Sequence, residues 1–260
     1  MKPIIGRKLF LIGYNFALRR HNTKINSMME LNTPKKNWLP PCTTFENLNR
    51  PPMITDFDKV RKLGRGAYGQ VFHVKLKNTE KEFAMKVITK QTIENLRMID
   101  QLKNEFNILR KLNHPNIIKL NGFFEDERNI YFILELADED HLYAKLNKVE
   151  KYDEPTAAKY MFEMFQACHY LHTQDPPIIH RDIKPENILF VKGSLKLADF
   201  GWSNMKDNKA RTTYCGTPDY LAPEMVMDKP HNEKLDVWTL GVLLYELLVG
   251  KAPFTPSSSI

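Results

Sequence analysis

The chain has 260 residues, of which 42% are hydrophobic, and this is enough for one large globular domain or two lobes. Its three cysteines, Cys42, Cys168 and Cys215, are widely spaced, which excludes a disulfide framework and favours a reducing, intracellular compartment. The net charge of +7 belongs to residues 1–50, where nine Lys or Arg face two acids, so it gives no sign of a basic surface on the rest of the chain.

Residues 1–53 are expected to form a basic, disordered tail followed by a linker. The tail has no acid before Glu30, and an organelle-targeting segment is the alternative interpretation. Arg7 and Lys8 interrupt its apolar run, which excludes a secretory signal and a membrane span. Prolines and polar residues dominate 33–52, as is typical of a linker.

The next part of the chain predicts a five-stranded antiparallel sheet and one main helix. Residues 92–112 carry apolar side chains at spacings of three and four and predict the helix. β-Branched and aromatic residues between short turns predict the strands 57–64, 70–77, 82–88, 117–123 and 130–136.

After Glu135 the pattern becomes mostly helical. Helices are predicted at 141–148, 155–173 and 233–249. The last is apolar nearly all round, so we expect it to be buried.

Three glycines, Gly64, Gly66 and Gly69, stand in GRGAYGQV between the first two predicted strands. Glycine lets the backbone turn tightly and approach phosphate oxygens closely. A plain hairpin is the alternative. Because a strand follows at Val71 rather than a helix, a dinucleotide-binding turn is disfavoured.

Lys86 lies on the third predicted strand and shares its face with Ala84. The small Ala84 leaves room for a planar ring, and Lys86 can reach phosphates beyond it. Glu105 lies near the apolar stripe of the predicted helix, where burying a carboxylate alone costs several kcal/mol. We therefore expect Lys86 to be its partner, although a surface lysine on an edge strand is the alternative.

The strings HRDIKPEN (180–187) and DFGWS (199–203) place four chemically useful side chains close together in the chain. Asp182 can accept the proton of a hydroxyl group, and Lys184 can neutralise charge on a transferring phosphoryl group. Asn187 and Asp199 are suited to hold Mg²⁺ on a nucleotide.

These strings resemble the eukaryotic protein kinases over residues 56–255. Lys184 and the segment RTTYCGTPDYLAPE (211–224) resemble the serine/threonine class. DFGWS, RTTYCGT and HNEKLDVWTLGVLLYELLVGKAPF are similar to the Aurora kinases. An AGC-type or Polo-type kinase is the alternative subfamily, and Trp202 and the HNEKLDVW segment weigh against both.

The resemblance implies an α+β, two-lobed fold, with an upper lobe at 54–137 and a lower lobe at 138–260. It implies transfer of the ATP γ-phosphoryl group, with Mg²⁺, to Ser or Thr of protein substrates that carry basic residues nearby. Mitotic control in the nucleus, spindle or cytoplasm and an activator peptide on the upper lobe follow from it too. No membrane and no direct nucleic-acid partner is expected.

The resemblance also assigns roles to individual residues. Thr213, and Thr212 beside it, would be phosphorylated in the activation loop, and Thr217 would position the phosphoacceptor. Leu109, Leu120, His180 and Phe200 would stack as a spine, which Asp236 anchors. Nucleotide contacts would come from Leu63, Gly64, Gly66, Gly69, Val71, Ala84, Lys86, Glu135, Ala137, Glu186, Asn187, Leu189 and Asp199.

Two features depart from the family pattern. Just past the hinge, DEDHLY (138–143) replaces a PLGTVY-like segment, and its acids either repel ATP, attract a basic substrate or do neither. The chain also ends soon after helix 233–249, so we expect an incomplete lower lobe, one exposed side on that helix and poor activity. A non-catalytic, kinase-like binding module is therefore the rival to an enzyme.

Overall fold

The computed structural model describes residues 37–40, 45, 48–65, 69–205, 218–227 and 229–254. The upper lobe contains an antiparallel sheet in the order β1-β2-β3-β5-β4. This confirms the predicted five-stranded sheet. Its strands are β1 (Phe57–Arg65), β2 (Gly69–Leu76), β3 (Glu82–Thr89), β4 (Leu120–Glu125) and β5 (Asn129–Leu134).

The prediction of one continuous helix at 92–112 is wrong. The structure has two helices there, α1 (Lys90–Leu96) and α2 (Ile99–Leu109). Arg97 adopts a left-handed conformation with φ of 55°, and its N–H donates to the Glu94 carbonyl, which ends α1. The apolar spacing continues across this break, so periodicity alone does not reveal it.

The lower lobe is mostly helical, with two small antiparallel strand pairs, β6 (Ile178–Ile179) with β9 (Asn204–Met205) and β7 (Ile188–Val191) with β8 (Ser194–Leu197). Its predicted helices are confirmed within one residue at each end. The elements are α3 (Leu142–Val149), α4 (Glu154–His172), β6 (Ile178–Ile179), β7 (Ile188–Val191), β8 (Ser194–Leu197), β9 (Asn204–Met205), α5 (Pro223–Val226) and α6 (Lys234–Val249).

Helix α6 is buried along one side, where Leu243 and Leu247 are inaccessible to solvent. On its other side Val237 is 55% exposed and Tyr245 is 43% exposed. The sequence predicts both a buried helix and one exposed side, and the structure has both. None of the helices among the described residues has the length and apolar character needed to cross a bilayer.

One hydrophobic cluster runs through both lobes and includes Phe106 of α2, Phe132 of β5, Leu171 of α4 and Leu240 of α6. A second cluster covers the opposite face of the sheet. Elements from both lobes therefore share a core, and the polar residues of HRDIKPEN and DFGWS lie where the lobes meet.

Part of the expected linker is folded. Leu39 is 5% exposed and belongs to the shared cluster, and Phe45 is 1% exposed in the second cluster. Proline-rich composition predicts a linker, but burial of these two apolar side chains favours an ordered position for the residues that carry them. The lobe boundaries 54–137 and 138–260 remain a proposal.

The start of β2 approaches β3 so closely that only glycine fits. A Cβ added to Gly69 would lie 2.1 Å from the Val87 carbonyl oxygen, whereas one added to Gly64 would meet no atom within 4 Å.

We expect Gly69→Ala to lower the free energy of unfolding by about 1–3 kcal/mol, as overpacking does. Gly64→Ala, the control, should change it by less than about 0.5 kcal/mol in urea denaturation. Equal midpoints for the two variants would show that the close approach of β3 does not require glycine at Gly69.

Candidate active site

The site is built around an ion pair between the two layers of the upper lobe. Lys86 on β3 and Glu105 on α2 are both buried, and Lys86 Nζ lies 2.6 Å from Glu105 Oε1. This is the partner that the sequence predicts for Glu105. Lys86 pairs in register with Val71 on β2, so the two side chains share the face of the sheet that looks toward α2.

A third charge completes this group. Asp199 Oδ1 lies 3.6 Å from Lys86 Nζ. Lys86 lowers the pKa of Asp199, so this carboxylate stays ionised. Burial alone would lower the pKa of Lys86, but the charges of Glu105 and Asp199 outweigh burial and raise it, so the ammonium is kept.

Helix α2 also contacts the DFG segment directly. Gln101 donates from its amide to the Gly201 carbonyl oxygen, and Asn104 Nδ2 donates to the Ser203 carbonyl oxygen at 2.8 Å. The sequence reasoning missed both residues. The available signal was their spacing. Gln101 lies three residues before Asn104 and four before Glu105, and residues at these spacings lie on one face of a helix.

Asp182 lies buried at the centre of the loop between β6 and β7. Its Oδ2 lies 3.0 Å from Lys184 Nζ and accepts a 2.8 Å hydrogen bond from Asn187 Nδ2. Its Oδ1 is buried and has no hydrogen-bond partner among the described residues. A carboxylate with one satisfied and one unsatisfied oxygen is held in place and still able to accept a proton.

Asn187 and Asp199 suit a magnesium ion. Asn187 Nδ2 donates to both the backbone oxygen and Oδ2 of Asp182, so its Oδ1 is the amide atom left for a cation. Asp199 adds an ionised oxygen ligand. No group of three or more His, Cys, Asp or Glu side chains among the described residues forms a complete metal cage. Mg²⁺ typically takes one or two protein ligands and fills its shell with water and phosphate oxygens, so the donor set fits.

The two ring nitrogens of His180 connect the Asp182 loop to Ala198, the residue before Asp199. Its Nδ1 accepts from the Asp182 backbone N–H at 3.3 Å, which means that Nε2 carries the proton and donates to the Ala198 oxygen at 3.2 Å. Burial lowers the pKa of His180, in agreement with a neutral ring. The ring meets Phe200 edge to face, with centroids 4.9 Å apart.

The other predicted spine residues also lie in or against the shared cluster. Leu109 and Phe200 are buried members of it, and Leu120 packs against it. Asp236 of α6 is fully buried and accepts from the backbone N–H groups of His180 and Arg181 at 2.9 and 2.8 Å. The contact between His180 and Phe200 and the hydrogen bonds to Asp236 match part of the predicted arrangement, and stacking of Leu109 and Leu120 stays a prediction.

Most of the residues predicted to contact nucleotide come from the upper-lobe sheet, from the chain that follows β5, and from the Asp182 loop and β7. Ala84 is buried on the same face of the sheet as Lys86, and Leu189 of β7 is half-buried. Glu135 and Ala137 follow the end of β5, where the backbone leaves the sheet. Leu63 and Gly64 lie near the end of β1, and Glu186 is exposed beside Asn187. Four predicted residues lie outside the described part of the chain: Gly66, Thr212, Thr213 and Thr217.

The three acids at 138–140, which follow the end of β5, all have partners. Both carboxylate oxygens of Asp138 accept from the Lys192 backbone N–H, at 3.0 and 3.1 Å. Glu139 pairs with Lys145, and Asp140 Oδ2 lies 2.7 Å from Lys148 Nζ. Of the three predicted possibilities, these contacts favour the one in which the acids neither repel ATP nor attract a substrate.

A second acidic group, which the sequence reasoning missed, lies on the lower lobe. Glu246 of α6 is 8% exposed and accepts a hydrogen bond from the Tyr220 hydroxyl. Burial raises the pKa of Glu246, Tyr220 opposes this, and the negative charges of Glu186 and Asp219 raise it further. Three carboxylates therefore act on one another next to the Asp182 loop, and such a group attracts cations.

Comparison with known proteins agrees with this geometry. The family model described as protein kinase domain matches residues 57–260. An Aurora kinase of Schizosaccharomyces pombe is 46% identical over 203 residues, which cover 78% of this chain and 57% of that protein. Aurora kinase B-A of Xenopus laevis is 45% identical over 206 residues, 79% of this chain and 56% of the relative.

Aurora kinase C of Mus musculus is 45% identical over 207 residues, 79% of this chain and 74% of the relative. The chain thus spans little more than half the length of the yeast and frog relatives and about three quarters of the mouse one. The matched region contains all the residues of the Lys86, Asp182 and Asp199 groups. The chain therefore belongs to the protein kinase family and, within it, to the Aurora kinases.

Proposed function

We propose that this chain transfers the γ-phosphoryl group of ATP to serine or threonine hydroxyl groups of protein substrates. The observation that carries the proposal is the pairing of a half-satisfied Asp182 carboxylate, 3.0 Å from Lys184, with the Lys86–Glu105–Asp199 group. The first arrangement suits a proton acceptor, and the second suits a phosphate-binding site.

In the proposed reaction the substrate hydroxyl oxygen forms a bond to the γ-phosphorus while the bond from that phosphorus to the bridging oxygen of ADP breaks. Asp182 Oδ1 accepts the hydroxyl proton, and Lys184 offsets the negative charge of the transferring group. Bound Mg²⁺, held by Asn187 and Asp199, would neutralise the phosphate oxygens. Lys86 would hold phosphates further along the nucleotide, and Glu105 keeps its ammonium in place.

The adenine ring is proposed to lie between Val71 and Ala84 on one side and Leu189 on the other. Backbone groups of Glu135 and Ala137, which follow the end of β5, would bind its edge, with Glu135 offering its carbonyl oxygen because its N–H already donates to the Lys119 oxygen at 2.9 Å. Leu63, Gly64, Gly66, Gly69 and Glu186 complete the proposed nucleotide site.

We infer that substrates carry a basic side chain near the phosphorylated residue. The support is the charge of Glu246, Glu186 and Asp219, since three carboxylates close to the Asp182 loop attract a cationic side chain. Arg211, two residues before Thr213, gives the chain's own activation segment this pattern.

The remaining parts of the proposal rest on the family resemblance. They are phosphorylation of Thr213 or Thr212, a positioning role for Thr217, an activator peptide on the upper lobe, and mitotic control in the nucleus, spindle or cytoplasm. A phosphate on Thr213 would add about two negative charges and attract arginines, which would order the segment.

We expect Asp182→Asn to reduce phosphoryl transfer at least about 100-fold, since an amide cannot accept the hydroxyl proton. The measurement is transfer from labelled ATP with Mg²⁺, to the chain itself and to a basic serine peptide. Asp140→Asn is the matched control, because it removes a carboxylate that faces Lys148 rather than the site.

Nucleotide affinity is measured on the same samples by calorimetry. If folded wild-type chain binds ATP without any transfer, the chain is the kinase-like binding module and not an enzyme. If Asp182→Asn retains full transfer, the assignment of the proton acceptor is wrong. Mapping of the label to Thr213 would support the predicted phosphorylation site.

We expect Glu246→Gln to lower the preference for a peptide with arginine two residues before the serine, relative to alanine there, by about tenfold or more. The alanine peptide should react equally well with both forms. Because the pKa of Glu246 is raised, its charge is lost as pH falls through a value above the ordinary glutamate pKa of about 4.3. The wild-type preference should therefore weaken at mildly acidic pH, while that of the variant stays flat. An unchanged preference in Glu246→Gln would refute the proposed role.

A further inference from the structure

The described residues 37–40, 45 and 48, here called the arm, precede the region that matches the kinase family. The backbone N–H groups of Trp38 and Leu39 donate to the two carboxylate oxygens of Glu125, at 3.2 and 3.1 Å. Glu125 is the last residue of β4, and its Oε2 lies 2.7 Å from Lys90 Nζ at the start of α1. One largely buried carboxylate thus joins the arm to both elements.

The side chains of this part of the arm enter the core. Leu39 is 5% exposed and lies in the shared hydrophobic cluster with Ile93 of α1 and with Leu102 and Phe106 of α2. Trp38 packs against the same cluster, and Lys90 Nζ lies 5.8 Å from the centre of its ring. The arm therefore contributes to the core in which α2 is packed.

A second anchor holds the arm on the opposite face of the sheet. The Phe45 ring is 1% exposed and lies 5.9 and 5.6 Å from the rings of Phe57 and Phe83. A Cβ on Gly122 of β4 would lie 2.6 Å from a carbon of the Phe45 ring. Because Gly122 has no side chain, the Phe45 ring fits against β4 at this position.

We propose that Trp38 and Leu39 are positioning residues for the Lys86–Glu105 pair. Glu105 is on the same helix as Leu102 and Phe106, one turn or less from both, and these two residues share the cluster with Leu39, so a cavity at Leu39 is expected to loosen the packing of α2. Any movement of α2 changes the 2.6 Å contact between Glu105 and Lys86 and the hydrogen bonds from Gln101 and Asn104 to the DFG segment. The consequence for catalysis rests on the proposed function, whereas the consequence for α2 does not.

The test compares Leu39→Ala with Val74→Ala in the full chain. Val74 is 2% exposed on β2 and lies in the second cluster, which contains Phe45 but neither Trp38, Leu39 nor any residue of α2. Both changes remove buried methyl groups and lower stability, so they separate a structural loss from a positioning effect. Leu39→Met restores most of the apolar volume and serves as the rescue variant.

Hydrogen exchange of the α2 amides is the first readout. We expect at least tenfold faster exchange in Leu39→Ala at 102–109, with Val74→Ala and Leu39→Met within about threefold of wild type. Equal exchange at α2 in Leu39→Ala and Val74→Ala would overturn the proposal. If Leu39→Ala does not fold, Glu125→Gln replaces it in the exchange experiment, because it keeps the shape of the side chain but removes the charge that holds the arm and Lys90. The same faster exchange at 102–109 is then expected, and wild-type exchange there would overturn the proposal.

The second readout is phosphoryl transfer, measured as kcat and KM for ATP. We expect Leu39→Ala to lower kcat/KM at least fivefold in wild-type background and to have less than a twofold effect when Glu105→Gln is already present. A full effect in both backgrounds would show that the arm does not act through Glu105 and would overturn the proposal. A wild-type chain without transfer refutes the proposed function instead, and exchange at α2 then decides the role of the arm.

Discussion

A fully buried carboxylate on α6 fixes the position of the loop that carries Asp182. Asp236 accepts hydrogen bonds from two consecutive backbone N–H groups and from His172 Nε2, which lies 2.8 Å away. Arg181, one of the two backbone donors, has a φ of 69°, a conformation that costs a non-glycine residue about 1–3 kcal/mol. The two hydrogen bonds to Asp236 help to compensate this strain, so loss of the carboxylate is expected to let the loop relax.

A series of contacts runs from Asp236 to the ion pair of the upper lobe. His180 contacts the Asp182 backbone on one side and the residue before Asp199 on the other. Asp199 in turn faces Lys86, and α2 holds Lys86 through Glu105. Groups from both lobes therefore depend on one chain of direct contacts, in which Lys86, Glu105, His180 and Asp182 are buried and would be costly to leave unpaired.

Much of this could be predicted from the sequence, because the signals were local. β-Branched and aromatic residues between short turns predicted the strands, and the resemblance of HRDIKPEN and DFGWS to protein kinase motifs predicted the roles of Asp182 and Asp199. The break at Arg97 could not be predicted, since the apolar period continues through it. Burial of Leu39 and Phe45 was hidden by surrounding prolines, and Asp219 and Glu246 act on each other only because α6 packs beneath the loop. Such contacts depend on tertiary packing, which no short window of sequence contains.

The acids at 138–140 show how formal charge can mislead near a nucleotide site. Glu139 and Asp140 each form an ion pair with a lysine one or two turns along α3. At a distance such a pair acts as a dipole, whose potential falls with the square of the separation, whereas that of an isolated charge falls with its first power. A triphosphate within a Debye length of about 8 Å, where charges are only partly screened, therefore meets mainly the field of Asp138 rather than that of three charges.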